Sequence, residues 1–375
     1  MLKGIQLTLM MGKGIAKPVP QSVIDALTGI QITSGKDQSG FQMTFTMGKN
    51  SAIFKTLISR GFFEPVLTRV IIVVTFNGTP NVLMDGFITN QEVSLTSQAG
   101  ASTITITGDD LSVAMDLIQN VIPYPVMNDY LKINTRLATY AFLGIIPVVI
   151  PPIMPILKPP TESHDTQKST DKAFFQQLAK DNGYVFYIQP GPLPGQSIAY
   201  FGPEVNLREI QSAVSVNMDL ASNTDGLSFS FNGLANSTYV YTILDPITKK
   251  IPIPVPVPNI NPFRPPFTKS FNQGYKVEFG EDITKDSIAE ATKKILARMM
   301  NIDNKAISGS GSIDVFRYGK ILKSRSVIGV RGAGITYDGL YYVDSVTHDI
   351  KPGSYKQNFS LSRNGLTAIS SKVKI

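Results

Sequence analysis

The chain has no cysteine and only two histidines among its 375 residues. Disulfides and cysteine-based metal sites are therefore excluded. His164 stands beside Asp165 in a polar stretch, and His348 lies in a strand-like segment. A zinc site or a nucleophile–histidine–acid triad needs more convergent partners than these, so no catalytic, cofactor-binding or metal-binding residue is nominated. Charge is also scarce. Asp, Glu, Lys and Arg make up 17% of the chain, against about 25% in an ordinary soluble domain, which fits surfaces taken up by partners. The net charge is +7, but the basic residues are dispersed, with no run of five or more. No stable nucleic-acid binding is expected from such scatter. Long helical runs rich in Leu, Glu and Lys are few. No segment suits a membrane span. Residues 141–157 are uncharged and apolar but short of the roughly 20 residues a helix needs, and Pro147, Pro151, Pro152 and Pro155 would leave backbone groups unpaired in lipid. Residues 1–20 carry an apolar patch at 5–11 without a small-residue cleavage site, and read as a mature strand rather than a signal peptide.

What is present is Thr, Ser, Gly, Pro, Ile and Val, with 42% apolar residues in all. This is a β-rich composition on a chain long enough for two or three domains. Residues 41–47 alternate strictly, Phe41, Met43, Phe45 and Met47 facing one way and Gln42, Thr44 and Thr46 the other, as in a half-buried strand. A short helix follows over 51–59. Strands are predicted over 68–76, 82–95 and 102–107, with Asn77-Gly78 as a hairpin turn. A helix is predicted over 128–142, carrying Leu131, Leu137 and Phe142, and 161–168 reads as a polar loop. The clearest helix is 169–183. Ser169 or Thr170 caps it, Asp171 suits its positive end, Phe174, Phe175, Leu178 and Ala179 form its buried stripe, and Gly183 stops it. Later strands are predicted at 184–188, 227–232, 238–244, 313–318, 326–330, 340–350 and 355–362. A helix over 284–301 has Ile288, Ala291, Ile295 and Met299 inward, with Lys293, Lys294 and Arg298 outward.

Two proline tracts hold more than half of the 25 prolines. The second, 246–266, contains alternating Ile-Pro and Val-Pro pairs, which favour polyproline II and are not expected inside a sheet. Either tract can serve as a strap on a neighbouring subunit or as a passive loop. Asp109-Asp110 reads as a strand end and N-cap rather than a catalytic carboxylate pair. The glycines at 329–334 lack nucleotide-binding spacing, and Asn236-Ser-Thr238 matches a glycosylation sequon by chance.

The two ends of the chain echo one another. Residues 86–95, a turn with Gly100 and residues 103–111 parallel residues 341–350, a turn with Gly353 and residues 358–366. If the echo is a duplication, three copies of a doubled subunit present six similar units, so a trimer can sit on a six-fold ring.

Residues 169–191 resemble the "Ser-x-x-x-Phe-Leu-x-x-Leu-Ala-x-x-x-Gly-Tyr-x-Phe-Tyr" segment of the phage late-control protein D family, with Phe175 where that family often has Leu. This family includes baseplate hubs of contractile phages and the hub portion of VgrG-type spikes. Residues 339–350 and 354–366 resemble its closing hairpin. The resemblance implies a mainly β protein with an α+β insert: a first tube-like β-barrel domain over 1–118, an inserted α/β domain with a Pro-rich segment over 119–203, and a second barrel over 204–375 with a Pro-rich loop at 246–266. It implies a non-enzymatic baseplate hub, a homotrimer joining a hexameric inner tube protein to a central spike, with other baseplate proteins around it. Such a part is assembled in the bacterial cytoplasm and resides in a phage tail or injection particle. The sequence ends nine residues after Leu366 with no valine–glycine repeat, so the trimeric spike is expected to be a separate chain. The competing readings are a cell-wall-acting β-domain enzyme, for which no acid, base or metal constellation is found, and a basic nucleic-acid module, for which no clustered stripe is found.

Overall fold

The computed structural model describes residues 4–36, 39–48, 62–98, 102–156, 165–205, 210–245, 248, 250–257, 261, 263–269, 276–280, 283–284, 286–301 and 305–369. The helix predicted at 51–59 lies outside them. The first part runs β1 (Ile5–Lys13), β2 (Lys17–Pro18), α1 (Gln21–Ala26), β3 (Leu27–Gly35), β4 (Ser39–Met47), β5 (Thr68–Phe76), β6 (Thr79–Ser94) and β7 (Ser102–Asp110). The middle runs β8 (Ile122–Tyr124), α2 (Asp129–Ala138), β9 (Ile145–Val149), β10 (Asp165–Gln167), α3 (Asp171–Asp181), β11 (Val185–Pro190) and β12 (Ser197–Gly202). The last part runs β13 (Ile210–Ser215), β14 (Gly226–Phe231), β15 (Ser237–Leu244), β16 (Pro252–Val257), β17 (Lys276–Phe279), α4 (Ile288–Met300), β18 (Ile307–Asp314), α5 (Val315–Tyr318), β19 (Ser326–Arg331), β20 (Gly339–Lys351) and β21 (Ser354–Arg363).

The β-rich reading holds, and the period-two patterns became half-buried strands. In β4, Phe41, Met43, Phe45 and Met47 are all buried while Gln42 is exposed. Asn77 and Gly78, at φ 48° and 81°, form the primed turn between β5 and β6.

Six strands of the first part pair in the order β1-β5-β6-β7-β4-β3. Six strands of the last part pair in the order β13-β19-β20-β21-β18-β14. Numbered from one to six within its own part, each set follows the same path: first, fourth, fifth, sixth, third, second. One pairing differs in sense, β1–β5 being antiparallel and β13–β19 parallel. A β-bulge falls at the matching place in each central hairpin, between Ile88 and Asn90 in β6 and between Val343 and Ser345 in β20. This aligns 86–95 with 341–350 residue for residue, as the sequence echo does. The second strands match with a two-residue shift from the echo, because Thr107 opposite Asn90 corresponds to Ser360 opposite Ser345. A shift of two preserves which face each side chain takes. No pairing that closes either set into a barrel occurs among the described residues.

The middle part has its own core around Ile133, Leu137, Phe175, Leu178, Ala199 and Phe201. Thr170 caps α3 through the Ala173 N–H. Gly183 ends it at φ 69°, where an added Cβ would meet the Ala297 carbonyl oxygen at 2.7 Å, so glycine serves both the turn and the approach of α4. The helix over 128–142 is shorter than predicted. It stops at Ala138, and Leu131 and Phe142 are exposed. Leu131 is two residues from Ile133, on the opposite face from the buried Ile133–Leu137 stripe. Part of the predicted 161–168 loop is instead β10, antiparallel to β8; residues 161–164 lie outside the described set.

Three further predictions are corrected. The proline tract does join a sheet: β16 pairs antiparallel with β15, and β17 pairs on β15's other side. Prolines at 252, 254 and 256 recur every second residue. Their missing N–H groups therefore all face the open edge, leaving Ile253, Val255 and Val257 to donate to β15. An edge so blocked cannot template another strand. In α4, which starts with a Ser287–Glu290 capping box, Ile288 is exposed because it occupies the first turn, beyond the small core of Tyr241, Val257, Ile283 and Ala291. The predicted strand 313–318 breaks at Asp314, whose carboxylate accepts the Phe316 and Arg317 N–H groups and starts the one-turn α5.

Candidate functional site

Strand β20 joins the two halves. Its edge pairs with β19 over 339–343, and beyond the bulge the same edge pairs with β3, Ser345 opposite Gly35 through Ile350 opposite Ile30. The result is one continuous run of eight strands, β14-β18-β21-β20-β3-β4-β7-β6. The Arg325 guanidinium donates to the Gly35 carbonyl and lies 4.0 Å from the Tyr187 ring, tying this junction to the middle part.

The two faces of this sheet differ sharply in chemistry. One carries Ile30, Ile32, Met43, Phe45, Ile104 and Ile106 in the first half, all buried, and Val346, Phe359, Leu361, Ile307 and Ile313 in the second. His348 is on this face too. Burial pulls its pKa down to about 4, and its Nδ1 lies 2.7 Å from the Tyr355 hydroxyl and 3.3 Å from the Gln357 amide nitrogen. The Gln357 amide is itself fixed by donating to the Leu322 carbonyl and accepting the Leu322 N–H. The imidazole is therefore a neutral acceptor, a packed core group rather than a general base in a cleft.

The opposite face is a wall of short hydroxyl and amide side chains. The strand registers place Ser228, Ser310, Ser360 and Ser345 across one half, and Gln31, Gln42, Thr107 and Asn90 across the other. Neighbouring hydroxyls pair across strands: Ser228 with Ser310 at 2.8 Å, Ser345 with Ser360 at 2.6 Å, and Thr33 with Thr347 at 3.2 Å. Charged residues at wall positions include Glu92, Asp109, Asp314, Asp349, Lys351 and Lys356. Such a face satisfies its own hydrogen bonds and stays hydrated. A chain passing over such a face gains little by displacing water, and among the described residues no apolar patch lies on its exposed part to hold it.

At one end the wall meets the middle part across a polar cavity of about 570 Å³, lined by Gln31, Lys36, Gln42, Asp109, Lys172 and Arg325 among others. The buried Arg69–Asp85 pair, with two bonds of 2.7 Å and Ser197 reaching Asp85 at 3.2 Å, links the first half to the same middle part.

Of the polar residues noted in the sequence, Asp109 and Asp110 line the polar cavity, and the others that are described do not converge with it. Asp110 caps the helical turn Leu111–Met115 by accepting the Ser112 N–H at 2.8 Å, and burial pushes its carboxyl upward. Asn236 is buried and so closed to glycosylation. The glycines at 332 and 334 form the turn after β19, with φ of 82° and 89°. His164 lies outside the described residues. Among the described residues no group of three or more His, Asp or Glu side chains is placed to hold a metal ion, and no helix is long and apolar enough to cross a membrane. The hydroxyl wall was missed by sequence reasoning as a single surface: β4, β6, β7, β14, β20 and β21 were predicted as strands, but β3 and most of β18 were not. Strand order is what assembles it.

No family model and no curated protein matches the chain by sequence. Solved structures do match over nearly all of it. The tail protein from Neisseria meningitidis MC58 is similar at TM-score 0.63 and 11% identity, covering 97% of this chain and 98% of its own. The 43 kDa tail protein of prophage MuSo2 from Shewanella oneidensis is similar at TM-score 0.59 and 12% identity, covering 96% and 99%. An E. coli component of the type VI secretion system, described as structurally similar to bacteriophage T4 tail proteins, matches at TM-score 0.53 and 9% identity, covering 92% and 76%. At these identities the likeness is one of fold: the chain is a mainly β protein with an α/β insert, built like these tail proteins.

Proposed function

We propose that this chain is the structural hub of a phage tail or contractile injection particle, and that it acts as a homotrimeric ring without enzymatic activity. The observation that carries the reading is the doubled strand order within one continuous sheet. Three copies of a doubled unit offer six near-equivalent units, which lets a three-fold object mate with a hexameric inner tube. The hydroxyl wall would line the channel, where a weakly adhesive surface suits passage of genome or cargo. One end of the ring would continue the inner tube, and the other would seat a trimeric spike. The middle part, held by the Arg69–Asp85 pair, would face other baseplate proteins. Division into 1–118, 119–203 and 204–375 belongs to this reading, with the proline-edged sheet and α4 as an insertion within the second half. The particle would assemble in the bacterial cytoplasm and carry this chain in its baseplate.

Native mass measurement of the purified full chain, and of the chain released gently from assembled particles, tests the proposal. A species of three copies is expected. A chain that stays monomeric in assembled particles contradicts it.

A further inference from the structure

Three observations on strand edges lead to a specific interface, resting on the hub reading above. First, β6 is paired on one edge with β5 only as far as Phe87, while its other edge pairs with β7 through Ser94. Beyond the bulge, no strand among the described residues pairs with the β5-side edge of β6. Second, β14 pairs with β18 alone among the described residues, so its outer edge carries no strand there either. Third, the counterparts of these two edges are not open. Past its own bulge, β20 pairs with β3, and β20 and β3 are the equivalents of β6 and β14 in the duplicated order.

We infer that the β6 edge of one copy pairs antiparallel with the β14 edge of the next, repeating between subunits the β20–β3 junction found within each subunit. The register follows from the two alignments. The bulges equate Asn90 with Ser345 and Val93 with His348. Ladder positions equate Ile32 with Phe229, since Ile32 faces Phe41, Phe229 faces Gly309, and Phe41 and Gly309 are opposite Gly108 and Leu361. Within the chain His348 faces Ile32. Between copies Val93 therefore faces Phe229, Glu92 faces Ser230, and Leu95 faces Leu227.

Burial supports this assignment. His348 and Ile350 are 5% and 9% exposed beneath their junction, whereas the matching Val93 and Leu95 are 41% and 69% exposed. Phe231, on the open β14 edge, is 42% exposed. These apolar groups share the core-facing side of the sheet, so pairing would cover them and leave Glu92, Ser94, Ser228 and Ser230 on the wall. The contact is head-to-tail, and such contacts close into a ring when the rotation allows.

The absence of cysteine makes the test clean. Opposed residues in an antiparallel pair have Cα atoms about 4.5–5.5 Å apart, within disulfide reach. Diagonal neighbours two residues off are about 7–8 Å apart and are not. The variant E92C/S230C, with both sites on the polar face away from the core, should convert under mild oxidation mostly to a covalent trimer and nothing larger, in the free chain or in assembled particles. The off-register E92C/S228C and each single variant should not. A trimer by native mass in which E92C/S230C does not link, or in which E92C/S228C links instead, overturns this pairing while leaving the hub reading intact. A chain with no trimer in assembled particles overturns both.

Discussion

Replacing Asp171 by alanine should cost about 3–5 kcal/mol of stability, the loss associated with removing one partner of a buried charged pair. Asp171 is fully buried at the start of α3. Its carboxylate accepts Arg136 Nη2 at 2.5 Å, Tyr140 Oη at 2.7 Å, Gln167 Nε2 at 2.7 Å and Asn120 Nδ2 at 3.1 Å. Burial alone would raise its pKa, but the bonds from Arg136, Gln167 and Tyr140 outweigh it and hold the carboxyl below its usual value. A carboxyl depressed in the folded state stabilises the fold above its unfolded pKa of about 3.9, and that contribution fades as pH falls through the lowered value. Alanine would take the carboxylate from the Arg136 guanidinium and the Tyr140 phenol, while the Gln167 and Asn120 amides would keep only their bonds to the Ser169 and Ile118 carbonyls. Asp171→Asn keeps the shape without the charge and should fall between wild type and alanine. Denaturant midpoints at neutral pH measure this, and a loss below about 1 kcal/mol for the alanine variant would mean the network is not what holds the middle part.

Gly86→Val should be at least as damaging, by about 3 kcal/mol or more, because overpacking here is against backbone rather than a movable side chain. A Cβ at Gly86 would lie 1.9 Å from the Asp109 carbonyl oxygen and 2.8 Å from its carbon. Strands β6 and β7 could not keep their register, and the β6 edge beyond the bulge would move with them. The variant should therefore lose thermal stability and trimer together. Gly78→Ala is the contrast. Its φ of 81° strains any side chain, but nothing lies within 4 Å, so the cost should be about 1 kcal/mol and the trimer should survive. Thermal unfolding with native mass on both variants separates local turn strain from loss of the sheet.

Much of the fold was legible because period-two alternation is a local signal. Phe41 through Met47 reveal both faces of β4 without reference to any partner. The caps of α3 and the Asn77-Gly78 turn are likewise local. The proline tract misled because proline's effect depends on which side of a strand its nitrogen faces, and only the pairing of β16 with β15 sets that. Leu131, Phe142 and Ile288 misled because their neighbours, not their hydrophobicity, decide whether they are covered. The candidate site was legible only as an echo between two hairpins. It needed strand order to become a wall, since Ser228 and Asn90 are far apart in sequence and meet only as members of one eight-strand run.

A map of the assembled ring, fine enough to follow individual strands, bears on the duplicated wall most directly. The account predicts six alternating repeats at one radius, with Thr105, Gln42, Ser310 and Ser360 turned toward the axis and β6 of each copy hydrogen-bonded to β14 of the next. Repeats at two different radii, or the face of Ile32 and Phe45 turned to the channel, would contradict it.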